Sequence, residues 1–448
     1  MRAVLALAAL LSPLPASAQA VLIHGARVFD GTPHKAKVRD VLVRGDRIVA
    51  VGRHLRASDA TVIDATGLTL IPGLHDLHIH TAREAFQNGR AFALGYAPYL
   101  RSGITSVNEY SVAGPMLETI RTFNGPAPHI ALAIRMGVPG GHGTESKFTD
   151  SITTKATTPA EANAVMADAL RYKPDVIKVF ADGWRYGDPE RPDRPSMDLP
   201  TLSAIVQDAH AAHIPVVTHT VTLEGAKIAA RAGVDSVVHG IGDAPVDDEM
   251  IRLMKRHHMA YVSTMAVYEP QETRTFLPQE WPLMSDEDRT NEQARAAAAP
   301  VPVAPYDAKR WGILQDNLRR LHAAHIRIGI GTDTGIDGVG QSWAAIREIR
   351  LFVSLGGFTP AEALAAATSV SAGIMQQGKE HGRIRPGMRA DLVLTGGKPD
   401  ERIEDLYDVR RVWVSGKEVD LAALRTLGDA PVVDADMHRE PPPPGVRY

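Results

Sequence analysis

Six side chains with metal-binding or base chemistry stand at or near the ends of apolar runs: His78, His80, Lys178, His219, His239 and Asp333. His78 and His80 are two apart in Leu74–His80. Alternate residues of a strand face the same side, so both imidazoles can address one centre. A lone His-x-His pair is also what two unrelated histidines would give. The other run ends strengthen the case: Pro215–Thr220 carries His219, Ser236–His239 ends in His239, and Arg327–Asp333 ends in Asp333. The chain has no cysteine. An ion would therefore be held by His, Asp, Glu or something less usual, and these five His and Asp side chains form a hard-to-borderline donor set. Lys178 lies inside the otherwise apolar run Val176–Ala181. An ammonium there is costly unless it is paired or chemically altered. Two readings follow: an ammonium paired with a carboxylate such as Asp182, or a lysine carbamylated by CO2, whose anionic carboxylate can bridge two cations.

These positions need elements that bring them together. Eight strand-like runs occupy the middle of the 448-residue chain: Leu74–His80, Thr105–Tyr110, His129–Met136, Val176–Ala181, Pro215–Thr220, Ser236–His239, Ala260–Met265 and Arg327–Asp333. Amphipathic stretches separate most of them, among them Pro159–Tyr172, Leu202–His213, Leu223–Ala232 and Ala308–Ala324. Strands alternating with helices give a parallel sheet. Eight such units over roughly 300 residues predict an α/β fold, a (β/α)8 TIM barrel with its chemistry at the C-terminal strand ends. Asp182–Leu199 and Ala266–Pro305 are long connections at that end and read as loops over the site. His210, His213, His257, His258, His322 and His325 fall on predicted helices and read as solvent-facing, while His75 has no assigned role.

Short alternating runs before residue 70, and again at Ala390–Leu394 and Val412–Val414, predict a small β-sandwich built from both ends of the chain. The expected division is a β-sandwich from 21–70 and 383–429, the barrel from 71–382, and a Pro-rich tail, 430–448. Residues 1–20 have the three regions of a signal peptide: Arg2, the apolar run Ala3–Leu11, and the small-residue pattern Ala16-Ser17-Ala18. Cleavage after Ala18 or Ala20 predicts a periplasmic or secreted protein. No other stretch approaches the ~20 apolar residues of a membrane span. Lys and Arg number 49 against 52 Asp and Glu, a net charge of −3, which excludes the basic footprint of a nucleic-acid binder. With 44% apolar and 23% charged residues, a disordered chain is excluded too.

With these residues in view, the sequence resembles the amidohydrolase superfamily of metal-dependent hydrolases over nearly all of the chain after residue 20. The motifs are PGLHDLHIH (72–80), IKVFADG (177–183), VVTHT (216–220), VVHG (237–240), GIGTDTG (329–335) and the closing TPAEALAAATSVSAGIMQQGKEHGRIRPGMRADLVL (359–394). The resemblance implies a binuclear centre with His78 and His80 on one metal, His219 and His239 on the other, carbamylated Lys178 between them and Asp333 near both. It implies two divalent ions, zinc expected, and a CO2-derived carbamate on Lys178. Lys178 and Gly140-Gly141-His142-Gly143 are most similar to the branch with prolidase-like and imidazolonepropionase-related members. Two such ions would lower the pKa of a bridging water so that hydroxide exists at neutral pH. Asp333 would act as general base and then acid toward the leaving amine. His142 is a candidate substrate contact, the alternative being a surface loop histidine.

Two departures narrow the chemistry. Thr222 stands where deaminases of the superfamily carry a glutamate, and those enzymes lack the lysine, so deamination is disfavoured. Val221 stands where prolidase-like members often carry a tyrosine for the peptide carboxylate. The cationic loop from Arg185 to Arg194 could take that role or be solvated charge. The expected activity is cleavage of an amide C–N bond in a small molecule, a dipeptide among the candidates. Lactone, ester or phosphotriester hydrolysis on the same site is the alternative. A non-catalytic exported binding protein is a second, against which the complete ligand set counts. The partners expected are a small-molecule substrate and no nucleic acid; self-association into a homo-oligomer is compatible with the sequence.

Overall fold

The computed structural model describes residues 20–427, apart from 82, 124, 184–193 and 337. The signal segment apart from Ala20, the tail 430–448 and the cationic loop apart from Arg194 lie outside the described residues.

Eight parallel strands follow one another around a barrel: Leu74–Ile79, Ile104–Glu109, His129–Gly137, Val176–Phe180, Val216–His219, Ser236–Val238, Ala260–Val262 and Ile328–Gly329. They are the first to eighth strands below, and each falls within or beside one of the eight expected runs. Covered on both faces, they read in the sequence as unbroken apolar stretches. The eighth closes on the first: Leu77 N donates to Ile330 O at 3.0 Å and His80 N to Thr334 O at 2.7 Å. The buried Asp76 carboxylate reinforces this seam, accepting from Thr332 N at 3.0 Å and Thr332 Oγ1 at 2.6 Å. A further short strand, Thr153–Lys155, pairs with the third.

Helices pack outside the barrel, and their ends follow the sequence. Thr158 caps Pro159–Ala169, Asp198 caps Leu199–Ala211, and Thr222 caps Leu223–Ala232, which ends on Gly233 at φ +88°. His210, His213, His257, His258 and His325 are exposed as expected. His213, His258 and His325 sit just past helix ends with positive φ, not on helical turns. His322 is half-buried and stacks on Phe358 at 3.7 Å. The connection after the seventh strand is not a bare loop. It carries the helix Asp286–Ala297, capped by Ser285 with Asp286, Glu287 and Asp288 in its first turn, a start signal that complements the helix dipole.

The two ends of the chain meet in one mixed eight-stranded sheet. Ala20–Val28 runs antiparallel to Lys37–Arg44 along one edge. On its other edge it pairs first with Ala60–Asp64 and then, past Gly25, with Thr69–Pro72. Gly25, at φ +72°, allows that change of neighbour. Thr69–Pro72 pairs with Leu392–Thr395 from the far end of the chain. Val21, Ile23, Val41, Ile48, Leu70, Leu392 and Trp413 share a core of their own, separate from that of the barrel.

Candidate metal centre

The C-terminal ends of the strands form the barrel mouth, and the expected residues meet there. His78 Nε2 lies 3.0 Å from His80 Nε2, and each is 3.1 Å from Asp333 Oδ1. Donors around an ion at about 2.0–2.1 Å stand roughly 3.0–3.4 Å apart, so this trio has the spacing of a metal's own ligands. His239 Nδ1 is 3.7 Å from Asp333 Oδ2, and the His219 and His239 rings are 4.4 Å apart. Lys178 Nζ reaches His78 Nε2 at 3.5 Å. All six are buried.

The supports come from several elements. His80 Nδ1 faces Ser111 Oγ at 2.7 Å, which directs Nε2 into the centre when Nδ1 carries the proton. Buried Glu109 takes Ser111 N at 2.7 Å and so holds that hydroxyl in place. His239 Nδ1 also faces Thr264 Oγ1 at 3.2 Å. Thr264 is fixed by Glu348 on the helix Ala344–Gly356, which accepts from Ser263 Oγ at 2.7 Å, Met265 N at 2.8 Å and Ala266 N at 2.7 Å. His239, Thr264 and Asp333 have φ of +83°, +43° and +60°. Non-glycine residues pay for that conformation, and its concentration at one mouth marks a held geometry. Gly331 makes room for it: a Cβ there would meet Val262 Cγ1 at 2.6 Å and His78 Cβ at 3.0 Å.

Burial dominates the electrostatics. It holds the imidazoles of His78 and His219 far below their ordinary range, lowers that of His80 and pushes that of His239 down to about 3, so all four are neutral and fit to bind metal. Burial works against the Asp333 charge too. The neighbouring His239, His78 and His80 outweigh that and keep the carboxylate well below its usual range. Burial pushes the Lys178 ammonium down to about 7; Asp333 works against this, and Arg135 adds to it. Arg135, opposite Lys178 on the third strand, was not a sequence candidate; its guanidinium lies 5.2 Å over Phe180.

The structure separates the two readings of Lys178 in one respect. Among the described residues no carboxylate oxygen lies within ion-pair reach of Nζ, and Asp182 is engaged elsewhere. Asp182 Oδ2 accepts from Thr220 Oγ1 at 2.7 Å, Val221 N at 2.5 Å and Thr222 N at 3.2 Å, while Oδ1 is 3.8 Å from His219 Nε2. The Asp182 alternative is thus not what the fold builds. His142 is no surface histidine: its ring lies 4.0 Å from that of His219, and Nδ1 bonds Glu145 Oε1 at 2.7 Å. Thr222 has a helix-capping task in place of a deaminase glutamate.

A parallel barrel with nitrogen and oxygen donors gathered at its mouth defines a TIM-barrel protein with a group there that could hold a metal ion. The chain belongs to the amidohydrolase family, whose model matches residues 69–419. Its structure is similar to that of a putative prolidase from Bifidobacterium longum, at 25% identity and a TM-score of 0.70, over 92% of this chain and 99% of that one. It also resembles A. niger ochratoxinase, at a TM-score of 0.71 and 21% identity over 90% and 96% of the two chains, a likeness of fold. In sequence, ochratoxinase of Aspergillus niger is 28% identical over 252 residues, 55% of this chain and 47% of that protein. Dihydroorotase of Streptococcus pyogenes is 30% identical over 102 residues, 23% of this chain. The match spans about a quarter of the dihydroorotase, 24% of its length. Among the described residues no helix is long and apolar enough to cross a membrane.

Proposed function

We propose that the protein is an exported, binuclear metal-dependent hydrolase that cleaves an amide C–N bond of a small molecule, of the dipeptide kind. One observation carries this reading. Ligand-type side chains from the ends of the first, fifth and sixth strands and the turn after the eighth converge with Lys178 of the fourth, and three of their donor atoms lie 3.0–3.1 Å apart. The relatives named prolidase and ochratoxinase support the choice of an amide. His78 and His80 would hold one ion, His219 and His239 the other, with Lys178 between and Asp333 beside both. When bound, two divalent ions, zinc by this donor set, lower the pKa of a water and polarise the scissile carbonyl.

The chain's own groups do the rest. Asp333 Oδ1 is engaged by His78 and His80, so Oδ2 is the oxygen that takes the proton of the attacking water and hands it to the leaving amine. His142, held by Glu145 against His219, is placed to orient the substrate. At Lys178 the neutral amine adds to the carbon of CO2; a C–N bond forms, one proton leaves, and an anionic carboxylate results. Burial beside Arg135 favours that step because it disfavours the competing ammonium. The segment up to Ala18 or Ala20 would be removed on export to the periplasm or medium. Mass spectrometry of the protein from its host tests this: a mature start at Gln19 or Val21 is expected, and retained Met1 contradicts it.

The test of function is a panel of dipeptides, N-acyl amino acids, lactones and phosphotriesters offered to the zinc-loaded protein. Turnover of the amides is expected. Turnover confined to lactones or phosphotriesters contradicts the amide reading, and zinc binding with no turnover contradicts the enzyme reading.

A further inference from the structure

At the opposite end of the barrel a second group of histidines surrounds a carboxylate. His129 opens the third strand, His75 lies near the start of the first, and His381 and Asp391 lie where the chain passes from barrel to sheet. His129 Nε2 is 3.0 Å from Asp391 Oδ1, and His381 Nδ1 is 2.7 Å from Asp391 Oδ2. The two rings are 4.8 Å apart. Ser415 N also donates to Asp391 Oδ1 at 2.7 Å, and Ser415 Oγ lies 3.5 Å from His129 Nε2. The His129 side chain is 29% exposed, which gives a route from solvent, while that of Asp391 is 4% exposed.

A second observation concerns His75. It is 2% exposed, and apart from a loose contact with the backbone of Gly73 neither ring nitrogen has a hydrogen-bond partner among the described residues. Its ring stands edge-on to His381 at 6.2 Å. A buried imidazole with only a poorly aligned backbone contact, set beside two other imidazoles and a carboxylate, is a donor at hand for a shared ligand.

We propose that His129 Nε2, His381 Nδ1 and Asp391 form a further divalent-cation site of the zinc type at the base of the barrel, with a structural task. Two imidazoles and one carboxylate are borderline donors that favour zinc over calcium or magnesium. Binding moves the proton of each ring to its other nitrogen, so that Nε2 of His129 and Nδ1 of His381 turn lone pairs to the ion. Three donors leave one tetrahedral position open, and His75 is the side chain at hand to fill it. The site ties the third strand, the segment after the last barrel helix and the terminal sheet together. His78 and His80 follow His75 by three and five residues along the first strand and its end, so this site lies roughly 10–16 Å from the mouth.

The experiment uses the full chain, loaded with zinc and desalted, with zinc per chain measured for the wild type, His381→Gln and His129→Gln. Glutamine keeps an N–H donor toward Asp391 but lacks the imidazole. Each variant is expected to carry one ion per chain fewer than the wild type, to keep kcat within twofold, and to lose several degrees of the rise in Tm that zinc gives the wild type. His129, partly exposed, serves if His381→Gln fails to fold. Equal zinc content in all three proteins, with the same Tm response, overturns the proposal and leaves a hydrogen-bonded clamp. Because the readout is a difference between proteins that share an intact mouth, it does not depend on how many ions the mouth holds.

Discussion

The mouth and the base of the barrel both set histidines around an aspartate, and the two arrangements differ in how the carboxylate is shared. At the mouth, Asp333 Oδ1 is the common neighbour of His78 and His80, and the ring nitrogens crowd to 3.0 Å of each other. At the base, each oxygen of Asp391 has its own histidine, with Ser415 N as an added donor. The mouth holds His239, Thr264 and Asp333 at positive φ, whereas His129, His381 and Asp391 keep ordinary backbone. Crowded donors on a strained backbone suit a centre that must react, because the geometry is set before substrate arrives. Relaxed donors from distant segments suit a joint.

The comparison breaks first at Asp333. Asp333→Asn is expected to cut turnover about 10³-fold, the usual size for a lost general base, with little change in Tm. A loss below tenfold in steady-state kinetics would remove Asp333 from the proton path. Next is Lys178. Lys178→Ala is expected to lose mouth metal and turnover together, with partial rescue by a short carboxylate such as formate. Rescue in a pH series carries a sign. The folded-state amine titrates near 7 instead of 10.5, so the neutral form prevails above pH 7 and is lost as pH falls through that value. Reconstitution of metal-free wild type with zinc and bicarbonate should therefore proceed at pH 8 and stall at pH 5.5; equal rates at both would contradict a carbamate.

At the base the expected effect is on stability. Asp391→Ala removes a buried carboxylate and strands His129, His381 and Ser415 N, at a cost of about 3 kcal/mol in unfolding free energy, with kcat of the folded protein preserved. A matching loss of kcat would mean that the two ends are coupled. The smallest effect sharpens the mouth itself: His142→Ala is expected to raise KM about tenfold, ~1.4 kcal/mol, with a lesser change in kcat. An unchanged KM would make His142 a support for His219 and not a substrate contact.

The mouth was legible in the sequence because its histidines and Asp333 stand at or near the ends of apolar runs, and a barrel strand carries its chemistry at that end. His78, His80, His219 and His239 declared themselves by position alone. Their supports did not. Ser111, Thr264 and Glu348 are ordinary residues until the fold sets them beside His80 and His239. Arg135 could have been noticed, since a cation inside the apolar run His129–Met136 breaks the same rule that singled out Lys178. The base cluster was out of reach: His129 and Asp391 are 262 residues apart, and no periodicity links a strand start to a loop in the closing segment. The helix Asp286–Ala297 was hidden by the prolines around it, although Ser285 and the acidic turn after it were a readable start.

The central claim is that the mouth is a two-ion centre bridged by Lys178. An anomalous difference map at the zinc edge, from crystals of the zinc- and bicarbonate-loaded protein, tests it most directly. Two peaks about 3.5–4 Å apart are expected among His78, His80, His219 and His239, with branched density beyond Lys178 Nζ reaching both. A lysine side chain that ends at its nitrogen, with both ions present, would contradict the bridge, and a single ion or none at the mouth would contradict the centre.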